Sequence, residues 1–400
     1  MNGSSTSDTP RSNWGLATYV AAAILARSAD GGVVVAVVLL VTLSGGSGAL
    51  AGAMAACVTA PHLFGPFVAR RIDTSDDPRH FIAAACGLFA LVFTVAILGF
   101  GHLPHVIVGA LLIVAGACGP LLTGGLSSRL PYLTRPDRTS QRRAHGWDVA
   151  TYGLGGTIGP SVVAGLAGTF GAAWGAAAIA VAAAASTVFT LMLPKSPPSH
   201  GGDPQQVPSA LRVFTLMATD SRLRRTAYMT MLVAFGVAAL PVVAVYLAPV
   251  LGVSAASAAL LTAVYGIGNL AGSAGVMTRP IRLTPDQAMA WYAGFLALAL
   301  ALVAASGSFH FALAAYFVAG CINAYFFAAT LAARTEYAPA QGKGQVYLWV
   351  GALKIAAGSV GTAVAGMVVT GSTSLALWIA IAAVMIAPVI SRLDQRGHHA

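Results

Sequence analysis

Residues 16–42 read LATYVAAAILARSADGGVVVAVVLLVT. Two charges, Arg27 and Asp30, interrupt a run that is otherwise apolar or small. As a helix rising ~1.5 Å per residue it would reach about 40 Å, more than the ~30 Å hydrocarbon core of a bilayer. The same reading recurs at 47–69, 81–101, 104–126, 146–168, 172–193, 226–250, 255–277, 287–306, 309–331, 345–369 and 374–391. The composition agrees: 57% of the chain is hydrophobic and 8% charged, against roughly a quarter charged in soluble domains. The expected fold class is an all-α membrane protein with twelve transmembrane helices in two pseudo-symmetric six-helix bundles.

The formal net charge of +10 does not signal nucleic acid, because the basic residues form no compact patch and no aromatic platform. All Lys and Arg residues except Arg27 and Lys354 fall in termini or alternate connections, and the intervening connections carry none. Positive residues are retained on the cytoplasmic side. The expectation is therefore a multi-pass protein of the cell membrane, the inner membrane if bacterial, with both termini cytoplasmic. Residues 1–13 are polar and lack the apolar core and cleavage site of a removable signal peptide. Cys57, Cys86, Cys118 and Cys321 sit within the spans and read as small buried hydrophobes. No HxxxH or CxxC spacing points to a metal.

Between spans six and seven lies the longest polar connection, 194–225, with Pro-Pro and Gly-Gly pairs and a short amphipathic piece around Ala210–Met217. It reads as a cytoplasmic linker dividing a bundle at 14–193 from a second at 226–391, followed by a cytoplasmic tail at 392–400. The halves look like copies. Arg129 precedes Tyr132 by three residues and Arg334 precedes Tyr337 by three. Tyr152 stands seven before Gly159, as Lys354 stands seven before Gly361; Gly65 registers with Gly272, after Ser47 and Ser254. Duplicated halves place a substrate site near the midplane between them.

Twelve spans, a central linker and cytoplasmic termini resemble the major facilitator superfamily over essentially the full chain. Gly155-Gly156-Thr157-Ile158-Gly159-Pro160 looks like the GxxxGP motif of its drug/proton antiporters, followed here by Val163 and Ala164 where two glycines belong. Gly65-Pro66-Phe67-Val68-Ala69-Arg70-Arg71-Ile72-Asp73 keeps the Gly and Arg of the loop motif after span two, with Ala69 at the position of its Asp and Asp73 available to substitute. The resemblance implies a cytoplasmic gate at Gly65, Arg70, Arg71 and Asp73, and Arg129 and Asp148 join the gate candidates by their shallow positions.

Arg27 and Asp30, three apart on one helix face, can pair within a cavity, and Asp30 lies slightly beyond mid-membrane. An ionisable residue at this depth is a functional candidate, so both are expected to couple protons; a structural pair is the plainer alternative. Lys354 has no acidic neighbour in sequence and either faces substrate or snorkels. Asn323, Asn269 and Tyr152 are further cavity candidates, the asparagines also serving as cross-helix hydrogen-bonding groups. Asp148, shallow in a span beginning near 146, reads as a gate or structural salt bridge with Arg129, Arg142 and Arg143. His62, beside Pro61, reads as a hydrogen-bonded packing residue in preference to a proton relay.

The expected function is proton-coupled efflux of a small drug-like compound or metabolite by alternating access. Its energy would come from the proton gradient with no cofactor, and the working unit would be a monomer. The alternatives are an uptake symporter or exchanger for a small organic anion and, in another class, a membrane sensor or lipid-acting enzyme. No nucleophile–base pair or phosphate-cradling loop supports the enzyme reading.

Overall fold

The computed structural model describes residues 13–195, 207–253, 257–369 and 371–396. Ser254, residues 1–12, most of the polar linker and the last four residues lie outside these. Among the described residues, eleven helical stretches are long and apolar enough to cross a membrane. The twelfth span, Arg138–Phe170, has 33 residues but is richer in glycine, hydroxyl and charged side chains. Spans one, three and six are single helices, Asn13–Leu43, Pro78–Gly99 and Ala172–Leu191. So are spans eight to twelve: Ala258–Thr278, Pro285–Ala304, Phe309–Tyr337, Lys343–Val369 and Thr373–Arg396.

Three spans are broken, each at proline. Span two runs Gly48–Thr59, passes through a 3-10 turn at Ala60–Phe64 and resumes at Gly65–Thr74. Pro61 opens that turn, and its missing N–H and fixed φ suit a helix start better than an interior. Span four ends its regular part, His105–Pro120, in a π-turn at Leu121–Gly125, a distortion often found at functional sites. Span seven divides into Ser221–Val237 and Leu240–Val250, the second piece starting with Pro241 in its first turn.

Several helices outrun their apolar stretches. Asp137 accepts the Ser140 N–H at 2.8 Å and Asp220 accepts those of Arg222 and Leu223 at 3.0 and 2.9 Å. These caps satisfy N–H groups otherwise orphaned at a helix start. They begin spans five and seven at Arg138 and Ser221, earlier than hydropathy places them. Span ten likewise continues to Tyr337, taking Arg334 and Glu336 into the helix.

Spans one to six close around a core containing Phe89, Phe93 and Leu122, and spans seven to twelve around Met229, Leu300, Tyr316 and Val384. Glycine sets the closest crossings in the same way in both halves. A Cβ on Gly159 would meet the Ser28 carbonyl of span one, and one on Gly361 the Phe235 carbonyl of span seven. Gly65 packs on Pro120 of span four, and Gly272 on Cys321 of span ten. Without lipid-side hydrophobic drive, such backbone approach is how membrane helices gain packing energy.

Polar contacts joining the halves gather at the ends that carry the basic loops. Asp73 accepts the backbone N–H groups of Gly344 and Gln345 at 2.8 and 2.9 Å, in the first turn of span eleven. Arg138 and Arg142 of span five both bond Glu336 of span ten, at 2.9 and 3.0 Å. Arg142 also donates to the carbonyls of Ile281 and Leu283 in the connection after span eight. His145 contacts Thr335 at 3.3 Å, and Thr335 contacts Tyr347 at 2.6 Å. From the linker, helix Ala210–Thr219 buries Val213 and Met217, while its Ala210 carbonyl accepts from Trp349 at 3.0 Å.

Candidate functional site: the cavity between the halves

Above this seal lies a cavity of about 210 Å³. The first half contributes Arg27 and Asp30 of span one, His62 of span two, Pro120, Thr123 and Gly124 of span four and Tyr152 of span five. The second contributes Phe327 and Arg334 of span ten and Leu348, Lys354 and Ile355 of span eleven. The breaks in spans two and four therefore face the cavity, as does Gly156 beside the span-one crossing.

Arg27 is 2% exposed, and both its terminal nitrogens are engaged on its own half. Its Nη2 lies 2.7 Å from Asp148 Oδ1 and donates to Ser127 Oγ at 2.8 Å. Its Nη1 donates to the Asp148 carbonyl at 2.9 Å and to Thr151, and the guanidinium stacks 3.5 Å from the Tyr152 ring centre. Tyr19 donates to the same carboxylate oxygen. The expected Arg27–Asp30 pair is therefore not formed. Gly155 lets span five approach so closely that its Cβ would meet that of Arg27, and the arginine turns to the nearer acid. Asp148 forms a structural salt bridge, one of the two readings its sequence position allowed, but with Arg27 and not with Arg129, Arg142 or Arg143. With span five beginning at Arg138 it stands about 15 Å into the helix, buried against span one.

Asp30 instead faces span two, its Oδ1 3.0 Å from His62 Nε2. The 3-10 turn presents the imidazole, and Gly119 of span four makes room, since a Cβ there would meet both side chains. His62, read from the sequence as a hydrogen-bonded packing residue, makes its hydrogen bond to Asp30, and this acid–imidazole pair stands on the cavity wall.

The opposite wall is cationic. Lys354 Nζ sits 3.8 Å from the centre of the Phe327 ring and 5.7 Å from that of Tyr152. Phe327 in turn packs edge-on against Tyr152 across the halves, with centroids 5.0 Å apart. Arg334 is 1% exposed, stands 6.0 Å from the Phe327 centroid and 5.8 Å from that of Tyr347, and leaves Nε and Nη2 without hydrogen-bond partners. Lys354 and Arg334 thus flank one aromatic ring, and among the described residues no carboxylate is bonded to either. Arg334 was counted with the loop charges by hydropathy; the signal that it was special is its registration with Arg129.

Asn323 and Asn269 do not line the cavity. Asn323 Nδ2 donates to Asn269 Oδ1 at 3.1 Å, tying span ten to span eight, because each amide finds its nearest partner across that glycine-rich crossing. Of the gate candidates, Asp73 lies at the seal and Gly65 packs on Pro120, and Arg129 is buried near Asp73 over the Tyr132 ring, 5.0 Å from its centre. Arg70 reaches the Val207 carbonyl of the linker at 3.4 Å, while Arg71 is exposed. Pro160 follows the Gly155–Gly159 crossing inside span five. The residues missed by sequence are Ser127, Thr151 and Tyr19 around Arg27, and Glu336 at the seal.

The family model of the Major Facilitator Superfamily matches residues 19–282. With well over half of the sequence matched, the chain belongs to that superfamily. Comparison with characterised protein sequences gives no significant match. Solved structures share the fold. The transporter FucP in its outward conformation aligns with TM-score 0.77 at 13% identity, covering 95% of this chain and 98% of that one. A bacterial homologue of the iron transporter ferroportin, outward-facing with soaked iron, aligns at 0.72 and 16%, covering 95% and 99%. The human organic anion transporter MFSD10 aligns at 0.75 and 16%, covering 96% and 99%. These are transporters rather than enzymes, and the fold is that of secondary transport.

Proposed function

We propose that the chain exports a small organic anion with an apolar body, in exchange for protons, by alternating access between the two bundles. One observation carries the substrate class: Lys354 and Arg334 stand on one cavity wall and, among the described residues, have no bonded carboxylate, while buried N–H groups of Arg334 lack partners there. A buried cation is costly unless something neutralises it, and a carboxylate, sulfonate or phosphate on the substrate would do so. Phe327, Leu348, Ile355 and Pro120 supply the apolar wall. Arg27 is already neutralised by Asp148 and serves to hold spans one and five together.

Asp30 with His62 is the proton-coupling group, lining the same cavity. A proton taken there when the cavity opens outward and released when it opens inward would drive the substrate out. The partial Gly155–Pro160 antiporter motif favours this direction. On the basic-residue reading the sealed ends are cytoplasmic, so the conformation described is closed to the cytoplasm. The protein works as a monomer in the cell membrane of a bacterium, with both termini cytoplasmic and no cofactor.

The test is counterflow in proteoliposomes with a panel of organic acids and their neutral amide or ester isosteres. Preferential exchange of acids by wild type, and loss of that preference in Lys354→Gln, is the expected result. Equal transport of acids and neutral isosteres by both proteins would overturn the substrate class. Asp30→Asn should abolish proton-driven accumulation while sparing downhill exchange; unchanged driven transport would remove Asp30 from coupling.

A further inference from the structure

A second cationic site lies at the sealed face, outside the central cavity. A cleft of about 760 Å³ is bounded on one side by Arg138, Arg142 and Arg143 of span five and on the other by Arg279 and Arg282 after span eight. The carboxylate bonded within it is Glu336, which takes Arg138 and Arg142. The nearby acids are engaged elsewhere: Asp286 bonds Arg225 at 2.8 Å and Asp137 caps its own helix. Arg143, Arg279 and Arg282 are exposed and, among the described residues, their side chains carry no ion pair or hydrogen bond, so the cleft gathers positive charge far beyond what Glu336 offsets. Trp147, one turn into span five from Arg143, is 39% exposed, and Leu283 beside Arg282 is 40% exposed.

We infer that this cleft binds the phosphodiester headgroup of an anionic membrane lipid, held by Arg143 from one bundle and Arg279 and Arg282 from the other. Guanidinium forks match phosphate oxygens in bidentate geometry, and basic pockets between membrane helices are suited to anionic headgroups. A lipid rather than free phosphate is favoured by the setting. The arginines sit at the ends of the spans, and the exposed indole of Trp147, one turn further into span five than Arg143, and the exposed side chain of Leu283, next to Arg282, offer apolar surface for the glycerol and acyl region. The two walls are held together by Arg142, which reaches from span five to the Ile281 and Leu283 carbonyls. The site therefore exists as a whole only while the bundles touch at this face. A ligand that binds one conformation better shifts the population toward it, so the bound lipid stabilises the closed basic face.

The test uses the full chain in detergent, supplied with phosphatidylglycerol or phosphatidylcholine and read by native mass spectrometry. Wild type is expected to retain phosphatidylglycerol over phosphatidylcholine. The triple variant Arg143→Gln/Arg279→Gln/Arg282→Gln is expected to lose it by roughly a factor of five per arginine, over a hundredfold in all. The triple lysine variant keeps the charge and separates lost binding from lost folding; it should retain phosphatidylglycerol better than the glutamine variant while eluting as a monodisperse peak. Equal retention of phosphatidylglycerol by wild type and the glutamine variant would overturn the site. Full displacement of the lipid by millimolar glycerol phosphate would overturn the lipid as its occupant and assign a soluble phosphate instead. This binding is read without transport, so it stands or falls apart from the substrate proposal.

Discussion

Replacing Asp148 with Asn removes the charge that Arg27 faces at 2.7 Å, while both groups are almost wholly buried. Breaking a buried pair by removing one partner costs about 3–5 kcal/mol, because the surviving charge is left uncompensated. The lower end applies here. Arg27 keeps the Asp148 backbone carbonyl, Ser127, Thr151 and the Tyr152 ring face, and none of these depends on the carboxylate. A loss of about 3 kcal/mol corresponds to a fall in unfolding midpoint of roughly 6 °C at ~2 °C per kcal/mol. The measurement is thermal unfolding of purified protein in detergent, in a cycle of Asp148→Asn, Arg27→Gln and the double variant. Removing both charges should recover most of the loss, since the penalty belongs to the unpaired ion. Asp30→Asn should lower the midpoint less than Asp148→Asn, because Asp30 faces His62 and not Arg27. The pairing is refuted if the double variant equals the sum of the singles, or if Asp30→Asn is the more destabilising change.

Two further outcomes test the packing. Gly159→Ala should reduce the yield of folded protein at a cost of about 1–3 kcal/mol for overpacking, since its Cβ meets the Ser28 carbonyl, whereas Gly165→Ala, which meets nothing within 4 Å, should leave yield unchanged; equal yields by fluorescence size-exclusion chromatography would refute the close crossing. Asn323→Ala should cost about 1 kcal/mol of stability by leaving Asn269 without its cross-helix donor, with substrate KM unaltered. A several-fold rise in KM at unchanged stability would instead put Asn323 in contact with substrate.

Much of the architecture was legible because a bilayer makes local sequence decisive. Backbone groups in lipid must be satisfied within the segment, so a long apolar run can only be a helix. The placing of spans, the amphipathic piece in the linker and the internal repeat all followed from such local patterns. The repeat even carried geometry: Gly159 and Gly361 proved to play the same part against spans one and seven. Helix ends were less legible, because Asp137 and Asp220 continue helices through charged sequence that hydropathy discards.

The charged residues divide the same way. Sequence alone determined that Arg27, Asp30 and Lys354 lie at membrane depth, since depth depends only on counting residues along a helix. Only the tertiary structure decided their partners. Which acid Arg27 meets depends on how near span five comes, and that is set by glycines more than a hundred residues away from it. Arg334 shows the converse case. It looked like a loop charge until span ten was seen to run on past it, bringing a guanidinium with unpartnered N–H groups to the wall that Lys354 already occupied. Electrostatic partnership falls steeply with distance in space and is blind to distance along the chain, so the cavity's chemistry became readable only when the two bundles were brought together.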